Sequence, residues 1–392
     1  MENKNNLYGR LVLSDPLRKF SRLGIFDFLN GEKYICFEKI QNSAGESKVY
    51  LIKTPENEAI VNNILSPGDV VDVKGDYFNI NGETYFIGKS VNLISKCMGG
   101  SKSPIFNISK KVKESTELRS KILKRIRENM DSHGFLEITS PTLLPFYEGG
   151  DADPFKTTNK SGNDFYLKET SELILRRLIS CGLGSIYEIS HSFRNIGTNK
   201  NSLQEFSVVE SAIPYIKLQK GIVIAEDLIK GFLRDFKVKN ISLEKKWETK
   251  DFNSIYQELN NKTYSSNGDY SADRKDLSQI LSSINGAPIF LVGLPLETSP
   301  INSRNSQTLN ESVLVIDGSI YCDICEFEVS KEKLEERLKM QEKRNGRINK
   351  SFLKFAEYGL VPGVGISFGL ERWMKCISNE DISELKNLGG VI

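Results

Sequence analysis

Tyr187-Glu188-Ile189-Ser190-His191-Ser192-Phe193-Arg194-Asn195, a variable loop, and then Gln204-Glu205-Phe206-Ser207-Val208-Val209-Glu210 form the stretch that decides the fold. Aromatic and β-branched residues on either side of a polar loop read as strand, loop, strand. Segments of the same kind recur at 288–292, 312–315 and 319–329, with helical stretches and long connections between them. The pattern predicts a mixed α+β domain built on an antiparallel sheet. Upstream, Leu118, Ile122, Leu123, Ile126 and Met130 recur at helical spacing over 115–133. Ser115 is placed to cap that helix, and Gly134 follows its end. There is no internal repeat and no Gly-rich phosphate loop of the Walker or dinucleotide type.

Residues 1–98 read differently. Short strands are predicted at 7–12, 23–29, 33–39, 48–53, 70–77 and 84–93, with turns at Asn30-Gly31, Pro67-Gly68-Asp69 and Asn81-Gly82. One helix fits at 56–65. Strands closing around a single short helix suggest an all-β OB-fold barrel. Phe26, Phe28, Tyr34, Phe37, Tyr77, Phe78, Tyr85 and Phe86 are available either to fill it or to stack bases. Twelve basic and twelve acidic residues in 1–100 leave this domain neutral, which weighs against a surface built for phosphate. Residues 99–114 read as a linker, opening with Gly99-Gly100-Ser101-Lys102-Ser103-Pro104. The larger, mixed domain is assigned to 115–392.

The chain has 392 residues, with 53 Lys and Arg against 51 Asp and Glu, a net charge of +2. No global field points to nucleic acid. The start, MENKNNLYGR, has no apolar signal core, and no apolar run approaches the roughly 18 residues of a membrane span. Six scattered cysteines fit free thiols and a cytoplasmic protein. Cys322 and Cys325 have a metal-like spacing but no second pair, and read as small strand residues.

Three segments resemble the signature motifs of class II aminoacyl-tRNA synthetases. The first is the helix ending in Gly134-Phe135-Leu136-Glu137-Ile138-Thr139-Ser140-Pro141; in that family this unit forms a dimer interface, so Pro141 implies a homodimer. The second is the opening stretch, and the third is Gly363-Val364-Gly365-Ile366-Ser367-Phe368-Gly369-Leu370-Glu371-Arg372-Trp373-Met374. The resemblance is nearest to the lysyl branch. It is carried there by Glu148-Gly149-Gly150-Asp151-Ala152-Asp153-Pro154-Phe155 and by Tyr166-Leu167-Lys168-Glu169-Thr170-Ser171-Glu172-Leu173. The Gly-Leu-Glu-Arg of the third motif leans toward the aspartyl and asparaginyl branch.

The resemblance implies ATP as substrate, held by Arg194, Glu205, Phe206, Gly369 and Arg372. A carboxylate attacking an α-phosphate builds charge on the phosphorane oxygens, and a planar guanidinium matches that charge. Arg194 and Arg372 are therefore the expected catalytic residues, with Phe206 stacked on adenine. Gly150, Glu172, Glu210 and Asp323 would bind the amino acid: Glu172 its α-ammonium and Glu210 its side chain, where a carboxylate suits lysine.

The chain departs from the family pattern at five positions. Ile196 replaces a glutamate that reads adenine. Val313 and Ile320 stand where carboxylates hold Mg2+, leaving metal ligation open, with Asp317 or Glu311 as nearby substitutes. Asp323 and Phe327 take the register of an Asn and a Glu, and strand alternation turns Glu326 and Glu328 to the other face. Two functions follow. One is ATP-dependent activation of a lysine-like amino acid, with transfer to tRNA or another acyl acceptor. The other is a non-catalytic paralogue that senses an amino acid or regulates a partner.

Overall fold

The computed structural model describes residues 6–12, 26–27, 33–42, 45–63, 65, 68–80, 83–97, 110–147, 152–197, 203–238, 241–265, 270–295, 299, 301–305, 308–345 and 348–380. Gly150 and the rest of the 148–151 loop lie outside them. So do the Asn30-Gly31 and Asn81-Gly82 turns, residue 98, residues 99–109 of the expected linker, and the C-terminal residues from 381. The chain divides into two compact units, one within residues 1–109 and one over 110–387.

In the first unit, β1 (Asn6–Val12), β2 (Phe26–Asp27), β3 (Lys33–Asn42) and β4 (Gly45–Ile52) precede helix α1 (Pro55–Asn63). β5 (Val70–Ile80) and β6 (Glu83–Ser95) follow it. The sheet order is β1-β5-β6-β4-β3-β2, and β1 also pairs with β3, so five strands close in a ring. Only β4–β6 is parallel within that ring. Val49, Leu51, Val71, Val73, Phe86 and Val91 alternate inward, and Val61 of α1 packs against them. Tyr77 and Phe78 stay outside, 51% and 39% exposed, so the outer face keeps aromatic surface.

The second unit opens with α2 (Lys110–Ser132), five residues earlier than expected. Lys110, Lys111 and Val112 extend the helix, and Ser115 sits inside it rather than at its cap. Gly134 follows at φ 77°, where a side chain would be strained. Short strands β7 (Leu136–Glu137), β8 (Leu143–Leu144), β9 (Lys156–Thr158) and β10 (Asp164–Leu167) lead to α3 (Glu172–Ser180). The expected strand pair is β11 (Ile186–Phe193) and β12 (Glu205–Pro214), antiparallel in register from Ile186↔Ala212 to Phe193↔Glu205.

Then come α4 (Leu218–Leu233), β13 (Glu248–Asp251), α5 (Phe252–Asn260), α6 (Tyr270–Ser283) and β14 (Ile289–Val292). The hairpin β15 (Glu311–Ile316) and β16 (Ser319–Glu326) precedes α7 (Lys331–Asn345), α8 (Lys350–Ala356), β17 (Gly363–Gly369) and α9 (Leu370–Ser378). The main sheet runs β13-β14-β15-β16-β17-β12-β11-β7. Its six central strands are antiparallel, as the sequence predicts, and one parallel strand is added at each end. Among the described residues no helix is long and apolar enough to cross a membrane.

Alternation divides the labour of this sheet. Val209 and Ile213, Val364, Ile366 and Phe368, and Cys322 and Ile324 face a core shared with α2, α4 and α9. Phe206, Val208 and Glu210, Asp323, Ser367 and Gly369 line the opposite, functional face. The string GVGISFG is thus a strand with bulk on one side and room on the other. Cys322 and Cys325 are buried, free thiols of β16.

Candidate functional site

Two cavities open on the functional face. They meet at Ile320, Asp323 and Ser367, which line both.

The first, about 230 Å3, is bounded by Arg194, Phe206, Gly369 and Arg372, with Ile196 and Leu203 adding apolar wall. Arg194 follows the end of β11, and its backbone N–H donates to Gln204 across the loop at 2.8 Å. Its guanidinium carbon lies 4.9 Å from the Phe206 ring centroid, and its Nε is 3.7 Å from Glu169. Arg372 is in the first turn of α9 and donates to the carbonyl of Ile320. Burial lowers its pKa, and the charge of Arg194 lowers it further. Two guanidiniums from distant parts of the chain therefore face one space, which draws anions. At Gly369 a Cβ would meet nothing within 4 Å, so the strand end leaves open volume beside them.

Arg372 is aimed by its neighbour. The buried Glu371 carboxylate accepts the Ser207 N–H at 2.9 Å and Arg119 Nη1 at 2.9 Å. Arg119 also donates to Ser207 Oγ. Motif-one helix, motif-two strand and motif-three helix are thus locked by one ion pair. Glu205 is not part of the cavity wall: it points to the other face and pairs with His191 Nδ1 at 2.8 Å.

The second cavity, about 220 Å3, is lined by Glu172, Glu210, Glu311 and Asp323, with Asn302 inside and Arg274 exposed at its edge. Glu172 opens α3; Arg176, one turn on, lies 3.6 Å from it, and Cys325 Sγ donates to it at 3.8 Å. Burial raises the Glu172 pKa, with the Arg176 charge opposing. Glu210 accepts from Thr170 Oγ1 and from the Ser171 N–H at 2.6 Å. Its pKa is also raised by burial, against those hydrogen bonds.

Beneath them lies a fully buried ion pair. Lys168 Nζ contacts both Glu188 oxygens at 3.1 Å, while Ser140 N, Ser140 Oγ and Ser171 Oγ also donate to Glu188. The network pins Ser171, hence the start of α3 and the direction of Glu172.

Phe327 lines neither cavity. It packs with its ring 4.6 Å from the Arg176 guanidinium, and a Cβ at Gly365 would come within 3.0 Å of it. Glu326 does turn to the opposite face, where it pairs with Lys217 at 2.8 Å and accepts the Leu218 N–H at 3.1 Å. Glu328 binds Arg337 at 2.8 Å.

Among the described residues, the donor set beside the first cavity offers magnesium no protein site. Val313 is a buried residue at the floor of the second cavity, and Ile320 lines both cavities with apolar atoms. Asp317, at φ 45° in the β15–β16 turn, accepts the Gly286 N–H at 2.7 Å and lines neither cavity. Glu311 faces the second cavity, not the first. Among the described residues no three His, Cys, Asp or Glu side chains are grouped to hold a metal ion.

Of the residues expected to form the site, Arg194, Phe206, Gly369 and Arg372 come together in one cavity and Glu172, Glu210 and Asp323 in the next. Asn302, Arg274 and the positioning residues Arg119 and Glu371 were not foreseen. The loop that carries Asn302 and the helix α6 that carries Arg274 have no local pattern that marks these residues. Arg119, by contrast, sits one residue after Leu118 on a helix whose apolar stripe was visible.

Residues 105–386 match the family described as tRNA synthetases class II (D, K and N). Among curated proteins, a lysine–tRNA ligase of Mesomycoplasma hyopneumoniae is 28% identical over 418 residues, covering 91% of this chain and 84% of the relative. One from Fusobacterium nucleatum is 24% identical over 422 residues, with coverages of 90% and 84%. One from Saccharolobus solfataricus is 25% identical over 367 residues, with coverages of 80% and 74%.

Proposed function

Because the chain belongs to the class II tRNA synthetases of the D, K and N type, we propose that it activates an amino acid with ATP through an aminoacyl-adenylate. The observation that carries this reading is the approach of Arg194 and Arg372 to one cavity that joins a second, carboxylate-lined one. An adenine stacked on Phe206 would leave the phosphates between the two guanidiniums. Glu172 would hold the α-ammonium, bringing the substrate carboxylate to the α-phosphorus. A carboxylate oxygen forms the new P–O bond as the bond to the bridging oxygen breaks, and pyrophosphate leaves. The protein contributes position and fixed positive charge.

Lysine-like substrates are favoured by the acidity of the second cavity and by the names of the relatives. The adenylate would then be attacked by a tRNA hydroxyl or by another acceptor, with AMP leaving. The ring of strands in the first unit, closed by β1 on β3 with α1 after β4, supports an OB-fold there, over 1–98. Leu136 and Leu143, 56% and 47% exposed on either side of Pro141, support a homodimer through that segment.

Amino-acid-dependent exchange of labelled pyrophosphate into ATP, across the twenty amino acids and with Mg2+ present, tests the activity. Val313 and Ile320 favour a second reading, a non-catalytic amino-acid sensor. Amino-acid binding without exchange would establish it in place of the first.

A further inference from the structure

Residues 168–172, between β10 and α3, are held by their backbone on both sides. The Lys168 N–H donates to the Thr142 carbonyl at 2.9 Å, and the Lys168 carbonyl accepts the Phe193 N–H at 2.9 Å. From this anchored stretch Thr170 and Ser171 hold Glu210, and Glu172 enters the second cavity. Glu169 instead faces the arginine of the first cavity. Its carboxylate is 6% exposed, lies 3.7 Å from Arg194 Nε and accepts the Ala152 N–H at 3.2 Å. The Asp153 carbonyl accepts the Asn195 N–H at 2.8 Å. Three segments are thereby closed into a ring: 152–153, Glu169 and 194–195.

Within the pair the side chain of Arg194 is 44% exposed, so the buried carboxylate is the fixed member and the guanidinium the aimed one. Such a carboxylate has two effects of opposite sign. It sets direction, because an arginine held through Nε and packed on the Phe206 ring keeps its two terminal amino groups for phosphate oxygens. It also opposes affinity, because a negative charge beside the guanidinium repels the phosphates that the guanidinium attracts. A carboxylate placed only for packing or stability would have neither effect on a nucleotide.

We propose that Glu169, which lines neither cavity, is a positioning residue of the nucleotide site. It aims the Arg194 guanidinium at the charge that develops on the α-phosphoryl oxygens, and weakens ground-state binding of ATP in doing so. The proposal rests on the amino-acid-activating reading of the same site.

The test measures ATP affinity by calorimetry and amino-acid-dependent pyrophosphate exchange at saturating ATP, in the full chain and in Glu169→Gln. The amide keeps an acceptor for Ala152 and removes the charge. Glu169→Gln should bind ATP about threefold or more tightly while the kcat of exchange falls about tenfold or more, since misdirection of a group is felt in rate rather than in binding. In an Arg194→Ala background the same substitution should change either quantity by no more than about twofold. Glu169→Asp, which keeps the charge and draws it back by one methylene, should lose less kcat than Glu169→Gln. ATP bound no more tightly by Glu169→Gln, exchange unchanged in it, or an equal effect with Arg194 removed overturns the proposal. If Glu169→Gln does not fold, Glu169→Asp decides: a lowered kcat with ATP affinity kept supports the role, and a parallel loss of both overturns it. Wild-type protein that binds ATP but exchanges with no amino acid removes activation, and the tightening of ATP by Glu169→Gln, lost without Arg194, then decides alone. Failure of the wild type to bind ATP overturns both.

Discussion

The Arg194 guanidinium carbon lies over the Phe206 ring, 4.9 Å from its centroid, in a cation–π contact, and the same ring lines the first cavity. Arg194 and Phe206 are in this way one device: the ring orients the guanidinium before a nucleotide arrives. Arg194→Ala should lower pyrophosphate exchange by about 10²–10³, the range for losing one donor to developing charge. Phe206→Leu should act mainly on KM for ATP, because stacking is the same in ground and transition states. Equal effects of both variants on kcat alone would contradict this division.

Arg119 sits outside both cavities, yet should matter for nucleotide binding. Arg119→Ala leaves the buried Glu371 carboxylate with the Ser207 N–H alone and loosens the first turn of α9. Removing one partner of such a pair costs about 3–5 kcal/mol when both are buried, and less here because Arg119 is 26% exposed. A lower melting temperature together with weaker ATP binding is expected. Unchanged ATP binding in a folded variant would show that Arg372 is aimed by something else.

Among the described residues of the second unit, Lys168 and Glu188 form the most deeply buried ion pair, at 0% and 3% side-chain exposure. Lys168→Met should destabilise by about 3–5 kcal/mol, since it strands a carboxylate inside the protein. Chemical denaturation measures this directly. A loss below about 1 kcal/mol would mean that Ser140 and Ser171 alone satisfy Glu188.

Stability should also depend on pH through Glu311. Its folded pKa of about 7 is above the unfolded value, so its contribution is complete below about 4.5 and is lost as pH rises through 7. Ligand-free protein should melt lower at pH 8 than at pH 6, and Glu311→Gln should flatten that slope. A wild-type melting temperature that rises over this interval would contradict the raised Glu311 pKa.

Some of this was legible in the sequence because local pattern encodes it. GVGISFG alternates small and large, and that alternation alone assigns Ser367 and Gly369 to an open face and Ile366 and Phe368 to a core. Arg194 and Phe206 are close in sequence on a strand–loop–strand unit, so their meeting needs only one hairpin. Glu205 shows the limit of such reading: as the immediate neighbour of Phe206, it is turned away by the pleat. The Glu311–Asn302 hydrogen bond joins a strand to an irregular loop, and no periodicity predicts it. Lys168 and Glu188 pair in the interior through sheet packing that neither segment carries alone, so no local pattern announces them. Helix α2 began early because Lys110 and Lys111 are good helix formers, while a linker reading rested on the Gly and Ser just upstream.

The most direct measurement is a crystal structure of the full chain with a non-hydrolysable diaminoacyl-adenylate analogue. The adenine should lie against Phe206, the phosphate mimic between Arg194 and Arg372, the α-ammonium at Glu172 and the substrate side chain in the carboxylate-lined second cavity. An analogue bound elsewhere, or bound here with its phosphate mimic out of reach of both guanidiniums, would contradict the assignment of this face as an amino-acid-activating site.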